Sequence, residues 1–373
     1  MRIQVGIVGG GQLGRLMAME AKGLDIEIFV LDPTPNCPAS DYATQVIGDF
    51  ADIDTVLAFG KGKDVITFEI ESANAEALLQ LESDGIQIHP SPKTLSIIKD
   101  KFEQKNFLTS HSIPVAPYRG VESKEDVEAF ATEYGYPLVL KSRKGAYDGR
   151  GNRTVNNVED ISVGISELGQ GLYVEAWIPF EKELAVVAAR DTFGTVHAYP
   201  VVETVHTDHI CDLVTAPAGV SQTTAKKAEV LADSIMNIFA GAGVFGIEMF
   251  LTKDDEVLIN EIAPRVHNSG HLTLHGANVS QFKQHMLAVL GEKIIKPELQ
   301  GNAVVMKNIL GERNAPADPQ GVEEAEALGN VYVEIYGKHD TKVKRKMGHI
   351  TVVADSVEEA TRIAKEARNK ISI

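Results

Sequence analysis

Two glutamates in the second half of the chain have the spacing of a metal-binding hairpin. Glu248 lies in the apolar run GVFGIEMFL and Glu261 in EVLINEI, and the polar turn from Thr252 to Asp255 separates the two runs. If the runs pair so that the two residues face one another, their carboxylates stand about 5 Å apart on one side of the sheet. Oxygen ligands in such a pair suit Mg²⁺. The alternative is a register shifted by one residue, which pairs Glu248 with Asn260 and turns one glutamate to solvent.

A lysine and a basic glycine-rich loop come earlier in the chain. Lys141 ends the apolar strand that begins at Pro137, and the sequence KSRKGAYDGRGNR follows. Against Asp148 alone, the loop carries Arg143, Lys144, Arg150 and Arg153. A flexible backbone with concentrated positive charge is what a lid over a polyphosphate requires. The alternative is a solvated basic loop, although such a loop has no structural need for the pair Tyr147-Asp148.

The start of the chain contains a second candidate site for anions. Gly9 to Gly14 match the pattern GxGxxG between a predicted strand and a predicted helix, and Asp32 ends the next strand. This is where a dinucleotide-binding fold places its pyrophosphate loop and its ribose-binding acid. A nicotinamide-dependent oxidoreductase is therefore one hypothesis. The same loop also binds the phosphates or carboxylates of many other ligands.

The composition limits the class of protein that must position these residues. The chain has 373 residues, 44% of them hydrophobic, and a formal net charge of −16. Such an acidic chain is repelled by nucleic-acid backbones except at local basic pockets, and we expect no nucleic-acid partner. No apolar stretch is long enough to span a membrane, and no signal peptide is recognised. The only two cysteines, Cys37 and Cys211, lie far apart, which indicates thiols in a reducing cytoplasm.

Periodicity predicts an α/β fold with α+β character in its later part. In the first hundred residues, short apolar runs alternate with helical patterns, which is typical of a parallel sheet with crossover helices. A helix is predicted from Ser91 through Phe102, and another from Thr224 to Phe239. Val196 to Val202 is predicted as one strand. Three domains are expected, over residues 1–100, 101–296 and 297–373.

These features together resemble the ATP-grasp superfamily, and within it the 5-(carboxyamino)imidazole ribonucleotide synthases of purine biosynthesis, also known as the ATPase subunit of phosphoribosylaminoimidazole carboxylase. The matching strings run in order across nearly the whole chain: GGGQLGR, DVITFEIE, YPLVLKSRKGAYDGRGN, FEKELAVV, YPVVETVH, GVFGIEMF, LINEIAPRVHNSGH, SQFKQH, and YGK followed by RKMGHI. The most specific are AYDGRG and NEIAPRVHNSGH. The resemblance implies an ATP-grasp fold with a Rossmann-like N-terminal parallel-sheet domain and a small β-rich C-terminal domain.

The resemblance also implies a reaction. ATP, bicarbonate and 5-aminoimidazole ribonucleotide would give ADP, phosphate and the N-carboxylated ribonucleotide, through carboxyphosphate or CO₂ released from it. The enzyme would position the reactants, neutralise charge and exclude water. The alternatives are the formate-dependent ligase of the same pathway, the oxidoreductase named above, and a nucleotide-sensing module without turnover. The resemblance further implies a homodimer and a functional link to the mutase that consumes the product.

Site residues follow from the resemblance position by position. Magnesium, with manganese as a second possibility, would bind Glu248 and Glu261. The ATP site would comprise Lys101, Lys141, Ala146, Tyr147, Asp148, Gly149, Arg150, Gly151, Asn152, Glu175, Ala176, Trp177, Ile178, Glu183, His206, Asn260 and Glu261. The ribonucleotide and bicarbonate would meet Gln12, Glu71, Tyr147, Asp148, Arg150, Arg265, His267, Asn268, Lys338, Arg345 and Lys346. Tyr147, Asp148, Arg265, His267 and Lys338 are the expected catalytic residues.

Some assignments stay open on the sequence alone. The basic loop before RKMGHI departs from the family pattern, so which of Lys342, Lys344, Arg345 and Lys346 meets phosphate is not fixed. Lys101 lies on a predicted helix, where a solvated lysine is the simpler interpretation. Trp177 either walls the adenine pocket or packs in the core. For His271 a structural role is preferred.

Overall fold

A parallel sheet covered by helices forms the N-terminal part of the computed structural model, which describes residues 2–145 and 151–373. Its strands are β1 Ile3–Val8, β2 Ile26–Asp32, β3 Thr44–Ile47, β4 Val65–Phe68 and β5 Gln87–Ile88. Its helices are α1 Gln12–Glu20, α2 Ile53–Gly60, α3 Ala75–Ser83 and α4 Pro92–Lys99, with a short 3₁₀ helix at Pro38–Asp41. The strands lie in the order β3-β2-β1-β4-β5, and every pair is parallel. The carboxyl ends of β1 and β4 therefore meet at one edge.

Polar N-caps define where the first helices begin. Asp52, Asn74 and Ser91 each accept a hydrogen bond from a backbone N–H in the first turn of α2, α3 and α4. The helix predicted from Ser91 through Phe102 is wrong in one respect, because it is broken at Asp100. The Asp100 carboxylate caps a new helix by accepting from Phe102 N and Glu103 N.

The second unit is a small antiparallel sheet with two helices on it. It begins with helix α5 Lys101–Ser110, which leads into the sheet. The strands are β6 Tyr118–Val121, β7 Leu138–Ser142, β8 Asn152–Val155 and β9 Leu172–Ala176, in the order β6-β9-β7-β8. The helices are α6 Lys124–Tyr134 and α7 Val158–Leu168. A capping box of Ser123 with Asp126 opens α6, and Gly135 ends it.

The remainder of the chain is built on a nine-stranded sheet. Its strands are β10 Phe180–Arg190, β11 Val196–Ala198, β12 Val202–Thr207, β13 Ile210–Ala216, β14 Gly243–Thr252, β15 Val257–Ala263, β16 Ala303–Leu310, β18 Val331–Ile335 and β20 Lys346–Ala354. A separate pair consists of β17 Ala315–Pro316 and β19 Asp340–Thr341. The helices are α8 Gln222–Ile238, α9 Thr273–Gly276, α10 Gln281–Val289, α11 Val322–Glu326 and α12 Val357–Lys370, with a 3₁₀ helix at Asn268–Gly270.

The strand order of the large sheet joins regions that are distant in sequence. It runs β15-β14-β10-β12-β13-β16-β20-β18, with β11 paired to β10. β15 is thus an edge strand, and β16, β18 and β20 from the last eighty residues continue the same sheet. The single strand predicted from Val196 to Val202 is wrong, because β11 ends at Ala198 and β12 begins at Val202, with Pro200 between them.

Apolar side chains fill the space between sheets and helices. Ala228, Ala232 and Ile235 of α8 pack on Val186 and Ile247 of the large sheet. Ala360, Ala364 and Ala367 form the buried stripe of α12. Among the described residues, no helix is long and apolar enough to cross a membrane. The predicted class is confirmed: an α/β chain with a parallel N-terminal sheet and a β-rich C-terminal part.

Candidate active site

The hairpin of β14 and β15 sets the two predicted metal-binding glutamates directly opposite one another. Glu248 pairs with Glu261, as the unshifted register requires. A bulge follows at once, since the next paired residues are Met249 and Ile259, and this leaves Asn260 as the extra residue. The prediction that the two carboxylates face each other is confirmed, and the register slipped onto Asn260 is excluded.

Two more predicted residues lie on the same face of this sheet. Ala185 pairs with Glu248, so Glu183, two residues earlier on β10, projects to the side of Glu248. Glu183 in turn pairs with Thr204, close to His206 on β12. The Nδ1 atom of His206 lies 2.7 Å from Glu183 Oε2. Burial disfavours the charged histidine, but the contact with Glu183 outweighs it and raises the pKa of His206.

The hairpin pair has the electrostatics of a cation site. Burial, together with the nearby charge of Glu261, raises the pKa of Glu248 to about 7. Two carboxylates that repel one another in a partly dehydrated place are stabilised by a shared cation. No cluster of three or more histidine, cysteine or acidic ligands exists among the described residues. The pair therefore fits Mg²⁺, which commonly takes one or two carboxylates and fills its shell with water and phosphate oxygens.

Lys101 lies at this hairpin and is not simply solvated. Its Nζ atom is 2.8 Å from Glu261 Oε2. Burial alone disfavours the ammonium, but the charges of Glu261, Glu248 and Glu71 raise the pKa of Lys101 above its ordinary value. The same contact acts on Glu261, because Lys101 overcomes the effect of burial and lowers the pKa of that carboxyl. The pKa values of the two hairpin carboxyls are thus shifted in opposite directions.

The second predicted phosphate-binding lysine is held by a buried carboxylate. Lys141 Nζ lies 2.5 Å from Glu175 Oε2, and Lys105 Nζ lies 2.9 Å from Glu175 Oε1. Burial opposes the charged carboxyl, but Lys105 and Lys141 outweigh it and lower the pKa of Glu175 to about 2. The side chain of Glu175 is therefore engaged by two ammonium groups, so an adenine or ribose contact predicted for this residue would involve its backbone.

The glycine-rich loop is anchored on both sides where the structure describes it. Lys141 pairs with Asn152 across β7 and β8, and Ser142 N donates to Gly151 O at 2.8 Å. Arg143 forms a bidentate contact with Asp100, at 2.8 to 3.1 Å. The predicted lid residues lie outside the described residues: Ala146, Tyr147, Asp148, Gly149 and Arg150.

Arg265 and His267 follow the hairpin at the edge of the N-terminal sheet. Arg265 Nη2 lies 2.6 Å from Glu71 Oε1, in the segment after β4, so the predicted substrate residues Glu71 and Arg265 are in contact. His267 Nδ1 accepts from Ser269 N at 3.3 Å, which leaves the proton on Nε2, 3.5 Å from Glu248 Oε1. Burial and the charge of Arg265 hold the pKa of His267 well below its usual range, so the ring is neutral.

Asn268 is fixed by a second amide in the large sheet. Asn308 Nδ2 donates to Asn268 Oδ1 at 2.7 Å, and Asn268 Nδ2 donates back to Asn308 Oδ1 at 3.2 Å. Asn308 Nδ2 also donates to the Cys211 carbonyl at 2.8 Å, which sets the orientation of both amides. His271 is fully buried beside Gln281, as its structural interpretation requires.

The predicted C-terminal cations occupy different environments. Lys338 Nζ donates to the Lys346 carbonyl at 2.7 Å, and Lys346 lowers the pKa of His267 through its charge, which places these two lysines at the cleft. Arg345 Nη1 donates to the Asp340 carbonyl at 2.7 Å. Lys344 forms an exposed ion pair with Asp208 at 2.9 Å.

The N-terminal glycine loop is occupied by a carboxylate of the chain itself. Glu69, at the end of β4, accepts from Gly11 N at 2.6 Å and from Gly14 N at 2.5 Å. Asp32 accepts from Gly10 N at 2.9 Å instead of facing a ribose. A Cβ atom on Gly9 or Gly11 would lie within 3.0 Å of the Glu69 side chain, so glycine is required there. These contacts argue against a pyrophosphate in this loop and hence against the oxidoreductase hypothesis.

Sequence reasoning missed Lys105 and Glu69. A signal existed for each: Lys105 lies one helical turn after Lys101, and Glu69 precedes Glu71 by two residues at the end of a buried strand. The remaining predicted residues lie on several elements. Gln12 begins α1, Ala176 ends β9, Ile178 lies between β9 and β10, and Trp177 is 46% exposed and so does not pack in the core.

Family models match three successive parts of the chain. Residues 1–99 match the ribonucleotide synthetase preATP-grasp domain, 106–282 the ATP-grasp domain, and 304–363 the phosphoribosylaminoimidazole carboxylase C-terminal domain. The phosphoribosylaminoimidazole carboxylase of Candida glabrata is 41% identical over 95% of this chain and 64% of its own length. The chain thus spans about two thirds of that relative.

Solved structures cover the chain from end to end. N5-carboxyaminoimidazole ribonucleotide synthetase from Thermotoga maritima is 41% identical, with a TM-score of 0.90 over 100% of this chain and 99% of that one. The Aspergillus clavatus N5-carboxyaminoimidazole synthase, solved with ADP and 5-aminoimidazole ribonucleotide, is 38% identical, with a TM-score of 0.91 over 99% and 98%.

The fold and the paired glutamates, with lysines on two sides of the cleft, define an ATP-grasp protein. Within that class, the chain belongs to the N5-carboxyaminoimidazole ribonucleotide synthase family.

Proposed function

We propose that this chain is an ADP-forming ligase that carboxylates 5-aminoimidazole ribonucleotide with ATP and bicarbonate, in purine biosynthesis. The observation that carries the proposal is the convergence of four groups on one cleft. Glu248 and Glu261 face each other across the hairpin, Lys101 contacts Glu261, and Lys141 approaches through Glu175. This is an arrangement for a metal-bound polyphosphate. The Aspergillus clavatus relative, solved with ADP and the ribonucleotide, supports the substrate assignment.

The ATP phosphates would lie between the hairpin and the lysines. Glu248 and Glu261 would hold Mg²⁺ or Mn²⁺, which supplies charge neutralisation of the phosphate oxygens when bound. Lys101 and Lys141 would contact the phosphates, and Glu183 with His206 would bind near the ribose. Ala176, Trp177 and Ile178, with the backbone of Glu175, would hold the adenine. Asn152, Gly151 and the predicted lid would cover the phosphates, and Asn260 would complete the hairpin side of the site.

The reaction then follows from the chemistry of bicarbonate, which is a poor electrophile. A bicarbonate oxygen attacks the γ-phosphorus of ATP, the bond to the β-phosphate oxygen breaks, and ADP leaves. The carboxyphosphate formed is attacked at carbon by the amine of the ribonucleotide. Inorganic phosphate leaves, the amine loses one proton, and the N-carboxylated product results. Direct attack of the amine on carboxyphosphate, and attack on CO₂ released from it, consume the same reactants and give the same products.

The ribonucleotide would bind where the N-terminal sheet, the hairpin and the C-terminal strands meet. Gln12, Glu71, Arg265, His267 and Asn268 line this region, and Lys338, Arg345 and Lys346 would hold the ribose phosphate. The positive charge of Arg265 beside Glu71 suits an anionic intermediate. The neutral ring of His267, with its Nε2 proton directed toward Glu248, suits hydrogen bonding rather than storage of a charge. Tyr147 and Asp148 in the lid would complete the catalytic set.

Phosphate release from ATP tests the proposal. We expect release that requires bicarbonate and rises sharply when 5-aminoimidazole ribonucleotide is added. Release that is equal without the ribonucleotide would overturn the substrate assignment, and release driven by formate instead of bicarbonate would favour the formate-dependent ligase. A homodimer, a cytoplasmic location and transfer of the product to a mutase stay predictions, which sedimentation, fractionation and coupled assays can test.

A further inference from the structure

Helix α5 runs along the free edge of β15, the strand that carries Glu261. An edge strand leaves backbone groups without a partner strand, and this chain fills that place with other groups. Ile259 N donates to the Pro114 carbonyl at 2.8 Å. The Gln104 side chain accepts from Ile262 N at 3.3 Å and donates to Ile262 O at 3.2 Å. The backbone on both sides of Glu261 is therefore held by residues of α5 and of the segment that follows it.

Lys105 of this helix contacts groups on both sides of the cleft. Its side chain is 2% exposed, and its ammonium lies 3.3 Å from the Ile259 carbonyl. The same ammonium lies 2.9 Å from Glu175 Oε1 on β9. Lys105 thus contacts both sheets that enclose the candidate ATP site.

The connection continues through Glu175 to Lys141. Glu175 Oε2 is 2.5 Å from Lys141 Nζ, so one buried carboxylate lies between two ammonium groups. A contiguous path of polar contacts therefore joins Lys141 to Ile259, two residues before Glu261 on β15. Lys101, one helical turn before Lys105, contacts Glu261 itself but not Glu175 or Lys141 through its ammonium.

A lysine at this buried position is costly unless it has a specific use. Burial, aided by the charge of Lys141, lowers the pKa of Lys105, and the contact with Glu175 and the charge of Glu261 compensate only in part. An apolar side chain would cover the strand without that cost. Covering the edge of β15 therefore does not explain the ammonium, whereas fixing Glu175, and Lys141 through it, does.

We propose that Lys105 is a positioning residue, which fixes the Lys141 ammonium relative to the Glu261 strand and so sets the separation of the two sides of the ATP phosphate site. This inference rests on the proposed function, since it assumes that the cleft binds ATP. Lys105 acts through Glu175 and Lys141 and is not a catalytic residue. Without it, Glu175 and Lys141 lose their connection to β15, and the phosphate site is less well preorganised.

Calorimetric binding of a magnesium complex of a non-hydrolysable ATP analogue tests this assignment. We expect Lys105→Met to raise the Kd of the analogue at least tenfold and to leave the Kd of 5-aminoimidazole ribonucleotide within twofold. Lys105→Arg keeps the positive charge and a donor for Glu175, and it should bind the analogue more tightly than Lys105→Met does. The matched control is Lys99→Met, because Lys99 also donates to a carbonyl, that of Ala73 at 2.8 Å, but touches neither side of the ATP site.

The outcomes separate the inference from the proposed function. If the wild-type chain does not bind the analogue, the proposed function fails. If the wild type binds and Lys105→Met binds equally well, or no more weakly than Lys99→Met, the positioning role is wrong. Should Lys105→Met fail to fold, Glu175→Gln decides the question. It should weaken binding of the analogue tenfold without affecting the ribonucleotide, and unchanged binding would overturn the inference.

Discussion

At the scale of single residues, the candidate site places chemically identical carboxyl groups in different surroundings, and their pKa values differ as a result. Glu248 and Glu261 are paired across one hairpin, yet burial and the neighbouring charge raise the pKa of Glu248 to about 7, whereas Lys101 overcomes burial and lowers that of Glu261. The two carboxylates therefore favour a further cation besides the ammonium of Lys101. Residue type and spacing give the carboxylates, and the three-dimensional neighbours give each one its charge.

Replacement of Glu261 tests this charge arrangement. Glu261→Gln removes one metal-binding oxygen and the partner of Lys101, so we expect the rate of phosphate release to fall at least about 100-fold. The far-ultraviolet circular dichroism and the thermal midpoint should change little. Glu256→Gln, in the exposed turn of the same hairpin, is the control and should retain activity. Full activity in Glu261→Gln would show that the metal assignment is wrong.

The Glu69 side chain anchors the N-terminal glycine loop through two backbone N–H groups. Glu69→Gln replaces one acceptor oxygen with an N–H donor beside the Gly11 or Gly14 amide, so one buried donor loses its partner. We expect a loss of about 1–3 kcal/mol in the free energy of unfolding. Urea titration measures this loss against Glu76→Gln, on the exposed face of α3. Equal stability of the two variants would contradict the assigned contacts, and tight binding of NADH by the wild type would revive the oxidoreductase hypothesis.

At the scale of secondary structure elements, a buried histidine joins two sheets. His285 on α10 accepts from Val244 N of β14 at 3.0 Å through Nδ1, and its Nε2 lies 2.7 Å from Thr67 Oγ1 of β4. The N-terminal sheet is thus attached to the large sheet by a neutral ring. Burial, aided by the charge of His89, lowers the pKa of His285 to about 3.

This attachment predicts how stability depends on pH. The pKa of His285 is depressed in the folded chain, so its contribution is complete above its unfolded value, near 6.5, and is lost progressively as the pH falls toward 3. Between pH 7 and 5.5 the loss from this residue should be about 1 kcal/mol. Urea unfolding at the two pH values should therefore show that His285→Gln loses about 1 kcal/mol less stability than the wild type between pH 7 and 5.5. An identical pH dependence in the variant and the wild type would refute the buried neutral ring.

At the scale of the whole molecule, the candidate site exists only where three parts of the chain meet. Glu71 comes from the N-terminal part, Arg265 and His267 follow the hairpin, and Lys338 lies in the C-terminal part. Arg15 on α1 fixes the first part against the last, because its Nη1 lies 2.5 Å from Glu334 Oε1 on β18. Both side chains are largely buried. The His339 ring, 2.8 Å from the Asn36 carbonyl, adds a second contact between the same parts.

Removal of the Arg15 contact should affect one substrate and not the other. Arg15→Met leaves the Glu334 carboxylate largely buried and unpaired, which should cost roughly 3 kcal/mol of stability. The KM for the ribonucleotide should rise several-fold, because its proposed subsites lie on the parts that this contact joins, and the KM for ATP should stay within twofold. Steady-state kinetics checks both values. A change confined to ATP would contradict the location given to the ribonucleotide.

Much of this architecture follows from sequence patterns that are local. The polar turn between two apolar runs is enough to predict the hairpin, and the metal pair follows once the register is right. The sequence does not identify Asp100 as a helix cap. That role depends on hydrogen bonds from the backbone N–H groups of Phe102 and Glu103, and hydrophobic periodicity does not report them. Lys105 and Glu69 were missed for a related reason. Their partners, Glu175 and the Gly11 and Gly14 amides, lie far along the chain, so only the folded structure identifies them.

Transfer of isotope from bicarbonate to phosphate tests the central claim most directly. If the cleft activates bicarbonate by phosphorylation, bicarbonate labelled with ¹⁸O, incubated with ATP and 5-aminoimidazole ribonucleotide, must leave one labelled oxygen in each inorganic phosphate released. Mass spectrometry of the phosphate measures this directly. We expect one ¹⁸O atom per phosphate, in amounts equal to the carboxylated product. Phosphate without label, released at the same rate as product, would show that ATP is cleaved by water and that the cleft does not perform the chemistry proposed for it.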